Sequence, residues 1–205
     1  MQSRYIFFAL AIWLGNLSEK AFSQETYPSG RPIANIFADY RHQVNGEESI
    51  RAFEITRVFL GYSYIIDSHL SAQIILDISD PFYFENISPK RYANIRNAFL
   101  SYKLDKLTIT AGIADGKGQV ASRDFWGKRY LAKPFLVNYG YIFPADIGIV
   151  ADFQLSNAIS IDAQIFNGEG YARIQSDNRF LYGAGITMKP VEGVVLRLFC
   201  DHYKG

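Results

Sequence analysis

Cysteine is almost absent. Cys200 is the single one in 205 residues, so neither an internal disulfide nor a multi-cysteine metal site can form. Tryptophan and methionine are scarce at two each. No charge of one sign prevails: 21 Lys and Arg stand against 20 Asp and Glu, a formal net charge of +1. That balance excludes nucleic-acid recognition by a strong basic field. A mean hydropathy of -0.03 excludes a bundle of several apolar membrane-spanning helices. His42, His69 and His202 are dispersed, without the short spacings that metal sites use. Gly112, Gly116 and Gly118 are followed by no Gly-Lys-Ser/Thr, so they form no phosphate loop. No cofactor and no metal are expected, and the chain reads as a non-enzyme. Its length permits one ordinary domain with a sizeable core.

What is abundant is aromatic and alternating. Phe contributes 16 residues and Tyr 14. Before the alternation begins, Arg4 precedes an apolar run from Tyr5 to Gly15, about 11 residues and too short for a membrane-spanning helix. Ala21-Phe22-Ser23 offers small residues where a signal peptidase reads them, so residues 1–23 are expected to be a cleavable signal. Residues 24–32 then form a short N-terminal segment expected on the periplasmic side. Without Arg4, Glu19 and Lys20 the remaining chain has 19 basic and 19 acidic residues.

From residue 33 the period is two. Leu70, Ala72, Ile74, Leu76 and Ile78 alternate with Ser71, Gln73, Ile75 and Asp77, which assigns them to opposite faces of a strand. The same pattern recurs over 107–113, 146–155, 159–166 and 182–188. It is less pure over 33–44, 51–65, 95–104 and 194–203, where Phe37 and Phe59 fall on the polar side. About nine strands result. Asp39, Arg41, Arg57, Asp77, Lys103, Asp146, Asp152, Asp162, Arg197 and Asp201 all fall opposite the apolar stripe.

The connections alternate in length. Short turns are expected at Asp67-Ser68, Asp105-Lys106, Ser156-Asn157 and 189–193, and long excursions over 79–94, 114–144 and 167–180. Tight turns at one end and long loops at the other are what outer-membrane barrels show. A water-filled lumen would solvate the charged face, and Tyr62, Tyr64, Tyr102 and Tyr182 would sit at an aromatic girdle. The expected fold is therefore all-β, an antiparallel transmembrane β-barrel over residues 33–205. Bacterial barrels use even strand numbers, so nine imply the N-terminal part of a larger barrel, incomplete at its C-terminus.

Phe125-Trp126-Gly127-Lys128-Arg129-Tyr130, Ala145-Asp146-Ile147-Gly148 and Phe166-Asn167-Gly168-Glu169-Gly170-Tyr171 follow in order after Arg57-Val58-Phe59-Leu60-Gly61. Together these segments resemble the phosphate-selective porin O and P family, in its shorter Bacteroidetes-type members. The resemblance implies an outer-membrane porin for passive diffusion of small solutes or anions, in some members a homotrimer, in contact with outer-membrane lipid and lipopolysaccharide. No run of lumen cations matches well enough to carry over phosphate selectivity.

The 114–144 excursion holds Lys117, Arg123, Lys128, Arg129 and Lys133 against Asp115 and Asp124, a net charge of +3. A cationic ring at a constriction favours anions. Lys128 and Arg129 are the constriction candidates, joined by Arg57 and Arg41 on the charged strand face, with Phe125, Trp126 and Tyr130 expected to pack the loop against the wall. The plainer reading is a basic loop in solvent or on lipopolysaccharide. A non-conducting structural or adhesive outer-membrane barrel is the alternative function, its interior filled by Phe37, Phe59, Phe99, Phe166 and Phe199.

Overall fold

In a computed structural model the described residues are 6–8, 27–45, 48–79, 92–129 and 131–203. The expected Ser23 cleavage point, Tyr130, and a glycosylation-type Asn86-Ile87-Ser88 lie outside them. The strands are β1 (Ile6–Phe8), β2 (Ser29–Asn45), β3 (Glu48–Ile65), β4 (Leu70–Ser79), β5 (Tyr92–Leu104), β6 (Leu107–Ala114), β7 (Asp146–Ser156), β8 (Ile159–Phe166), β9 (Leu181–Met188) and β10 (Leu196–Tyr203). All are antiparallel, and each pairs with its neighbours in chain order, so the sheet is one continuous meander. Nine of the ten coincide with the segments that alternate. The tenth, β1, lies in the expected signal and pairs Ile6, Phe7 and Phe8 with His42, Arg41 and Tyr40.

The short turns form where expected. The Asp67 carboxylate accepts the backbone N–H groups of His69 at 2.7 Å and Leu70 at 2.8 Å. Those two bonds hold its pKa below the ordinary carboxylate value. Asp105 takes a positive φ of 49° in the two-residue turn between β5 and β6. Ile36, Leu60, Ile74, Leu100, Ile149 and Leu198 stand exposed on one face, as the period-two pattern assigns them.

Closure is where the structure corrects the sequence reading. Among the described residues β10 pairs with β9 alone and β1 with β2 alone, so the first and last strands do not meet. The sheet is open, and the transmembrane β-barrel is overturned as the fold class. Alternating short and long connections follow from any meander that carries its excursions at one end, whether or not its edges join. Passive diffusion of small solutes or anions through a porin needs a continuous wall around a lumen, and the described residues form no such wall. The non-conducting structural or adhesive outer-membrane barrel fails on the same ground. The outer-membrane location and the expected partners, lipid, lipopolysaccharide and a homotrimer, rest on that wall and fall with it. So does the girdle: Tyr62, Tyr64, Tyr102 and Tyr182 are simply exposed on the apolar face. Among the described residues no helix is long and apolar enough to cross a membrane.

The charged face is not left to solvent either. The excursion between β6 and β7 contains two helices, α1 (Lys117–Trp126) and α2 (Phe135–Asn138). It lies across the polar face: Lys117 pairs with Asp152 of β7 at 3.1 Å, and Gly118 abuts the ring of Phe199 on β10. Asp77, Asp146 and Asp162 are buried beneath it and the 167–180 loop. Asp77 and Asp162 pair with Arg57 and Arg197, and Asp146 accepts backbone N–H groups of Ile147 and Gly168, whereas the sequence reading assigns all three to water.

Close backbone approach makes one strand glycine indispensable. Gly112 sits at φ 122°, and a Cβ there would collide with the Ala98 carbonyl oxygen of β5. Gly112→Ala is expected to destabilise the fold by more than about 2 kcal/mol. Gly193, at φ 79° in an open turn, should cost only about 1 kcal/mol on the same change. Comparing the two denaturation midpoints checks the assignment.

Candidate functional site

The densest polar cluster is built at an irregularity in the sheet. Between β4 and β5 the register passes from Ile75↔Asn97 to Leu76↔Ile95, leaving Arg96 as an extra residue. Such a bulge lets two consecutive side chains serve one face. Arg96 and Asn97 accordingly both reach Asp115, just before α1. Arg96 Nη1 lies 2.9 Å from Asp115 Oδ1, and Asn97 Nδ2 donates to the same oxygen at 3.0 Å. From α1, Arg123 Nη1 donates to Asp115 Oδ2 at 2.7 Å. Arg96 also donates to the Pro144 carbonyl at the far end of the excursion, at 3.4 Å. One carboxylate therefore joins the sheet to the segment that covers it.

A second cluster lies beside it. Asp77 of β4, 1% exposed, pairs with Arg57 of β3 at 3.0 Å. Tyr171, in the loop after β8, donates its hydroxyl to Asp77 Oδ2 at 2.6 Å. The loop is fixed at its root as well: Gly168 N–H donates to Asp146 Oδ2 at 2.7 Å, and Tyr171 N–H to the Ala145 carbonyl at 2.9 Å. Burial, with the Asp77 charge next to it, pushes the Tyr171 phenol far above its ordinary value of 10.

Between these clusters, the excursion and strands β2 to β5 is a cavity of about 520 Å³. Arg57, Arg96, Arg123, Arg129, Lys133 and Arg173 line it. Of these, Arg57 pairs with Asp77, Arg96 and Arg123 share Asp115, and Arg123 also pairs with Asp124. Phe37 and Phe59 meet edge to face at 5.8 Å on the sheet side. The guanidinium carbons of Arg57 and Arg96 each lie 5.5 Å from the Phe59 ring centre. Among the described residues no group of His, Cys, Asp and Glu is placed to hold a metal ion.

The four candidates from the sequence separate here. Arg57 and Arg129 both line the cavity. Lys128 is exposed and lies outside its lining, its carbonyl accepting the N–H of Leu131 at 2.9 Å. Arg41 is tied to Asp39 at 3.1 Å and takes no part. Phe125 does not pack the excursion down: it is 94% exposed, although Trp126 Nε1 donates to the Ala132 carbonyl at 3.0 Å. Sequence reading missed Arg96, because a strict period of two passes over a bulge. It missed the pairing of Tyr171 with Asp77, which are 94 positions apart.

No protein-family model, no curated protein and no solved structure matches the chain. The resemblance to the phosphate-selective porin O and P family is therefore overturned. The sheet that carries its strand motifs is open, and no family model supports the match.

The Tyr171 bond gives the first test of this geometry. Tyr171→Phe is expected to cost about 1–2 kcal/mol and to speed hydrogen exchange in 167–180. Because the folded pKa exceeds the unfolded value, the contribution is complete below pH 10 and is lost as pH rises above it. Denaturation midpoints between pH 8 and 11 should fall more steeply for the wild type than for Tyr171→Phe.

Proposed function

We propose that this chain is a binding module that holds a small anionic ligand in the cavity between the polar sheet face and the 115–145 excursion. The observation that carries the reading is the convergence of Arg57, Arg96, Arg123, Arg129, Lys133 and Arg173 on one cavity of about 520 Å³. Ligand pockets fall in that size range, and converging guanidinium groups are strong partners for carboxylate or phosphate oxygens. The ion pairs are arranged for holding. Asp115 fixes the positions of Arg96 and Arg123, and Asp77 fixes Arg57, so the cations need little reorganisation when an anion arrives.

The proposal is binding without turnover. The buried carboxylate Asp77 is engaged by Arg57 and Tyr171, and Asp115 by two arginines, which leaves neither poised as a general base. Arg57 and Arg129 are assigned to the ligand, whereas Lys128 and Arg41 are not.

Calorimetric titration with phenyl phosphate as the probe tests the reading. Arg173→Gln removes one cavity cation and leaves both pairs of Asp115 in place. The variant is expected to bind at least about tenfold more weakly with an unchanged denaturation midpoint. Affinity of the wild type should fall as salt rises. An unchanged affinity in the variant, or no binding to the wild type, overturns the proposal.

A further inference from the structure

The polar face encloses a second space, of about 50 Å³, between α1 and strands β7 to β10. It shares no cation with the larger cavity. Gln119 of α1, which stands between the two spaces, lines it together with Gln164 of β8 and Arg197 of β10. Each of the three contributes one fully buried atom with no hydrogen-bond partner among the described residues: Gln119 Oε1, Gln164 Oε1 and Arg197 Nε. Gln119 is enclosed as a whole residue, at 6% exposed. Arg197 has spent its Nη atoms on Asp162 and Thr187.

Buried polar atoms in a folded protein are bonded, so three orphans around one small space point to a shared occupant. They differ in kind: two are amide oxygens that accept, and one is an N–H that donates. A cation would satisfy the oxygens but stand against the Arg197 guanidinium. An anion would satisfy Arg197 Nε but face both amide oxygens and the carboxylates of Asp146, Asp162 and Asp201, which line the same space. The occupant must donate, accept and carry no charge. Water does all three, and a buried water makes about three such bonds. The volume agrees: about 50 Å³ exceeds what one water needs and falls well below what holds a benzene-sized molecule.

We infer that this space is a binding site for ordered water, a small cluster that accepts from Arg197 Nε and donates to the amide oxygens of Gln119 and Gln164. The cluster joins α1 to β8 and β10. It gives the covering segment a hold on the acidic half of the face that Gln119 Oε1 makes through no direct bond. It also completes the bonding of the arginine that grips Asp162.

High-resolution crystallography of the wild-type protein is the first test. Solvent density is expected within hydrogen-bond distance of all three atoms. Both glutamine amides turned onto protein partners, with no solvent between α1 and β8, would overturn the inference. A peak with the short contacts of a metal ion would overturn it too. A double-mutant cycle supplies a second measurement, since Gln119→Met and Gln164→Met keep side-chain length and remove the amide oxygen. A shared water cluster couples the two sites, so the midpoint loss of the double variant is expected to fall short of the summed single losses. Strictly additive losses overturn the shared cluster. The wild-type density decides the matter if either variant fails to fold.

Discussion

The carboxylate of Asp115 is the interaction on which the rest of this structure depends. It stands where β6 ends and the long excursion begins, and it is shared by an arginine from the sheet and an arginine from the helix. An unpaired carboxylate at this depth would be costly, and so would two converging guanidinium groups without it. The shared bond resolves both conflicts. It also fixes the excursion against the polar face, which gives the cavity its second wall. Removing Asp115 would therefore remove the anchor of the covering segment, and with it the enclosure that makes the arginines strong partners for an anion.

The strands were largely legible in the sequence because strand faces are a local property. A period of two decides which side chains share a face, and turn residues such as Asp67 and Asp105 decide where a hairpin reverses. Nine strands could be read that way. Closure could not, because it depends on whether the two outermost strands meet, and no local pattern in either one encodes that encounter. The charged face misled for a related reason. Asp77 and Asp162 carry the same period-two signature whether they face water or a guanidinium. Only the three-dimensional partners, Arg57 and Arg197, tell the two apart.

The site was legible in part. The positive excess of the 114–144 segment is a composition fact, and Arg129 follows from it. Arg57 follows from the strand pattern. Arg96 does not, because it is the extra residue of a bulge and falls out of phase with its own strand. Nor does the Tyr171–Asp77 bond, which joins a loop after β8 to β4 and leaves no trace in either neighbourhood. Lys128 shows the opposite error. It is adjacent to Arg129 and equally charged, yet it points outside the cavity while Arg129 lines it. Adjacent residues in an irregular segment share a charge signature without sharing a direction.

The polar face is divided, and the division explains why the cations gather on one side. α1 crosses it, held by Arg123 toward β5 and by Lys117 toward β7. Over β2 to β5 lies the cationic cavity. Over β7 to β10 the lining groups are Asp146, Asp162 and Asp201, with Arg197 the cation among them. Asp146 and Asp162 are already engaged there. Arg197 grips both oxygens of Asp162 at 2.7 and 2.9 Å, and backbone N–H groups occupy both oxygens of Asp146. Its space is about 50 Å³, room for water-sized occupants only. An anion approaching the face is thus repelled from the acidic half, which has little room, and drawn to the cationic half, which has space. Charge and volume select the same place, so the binding reading rests on both.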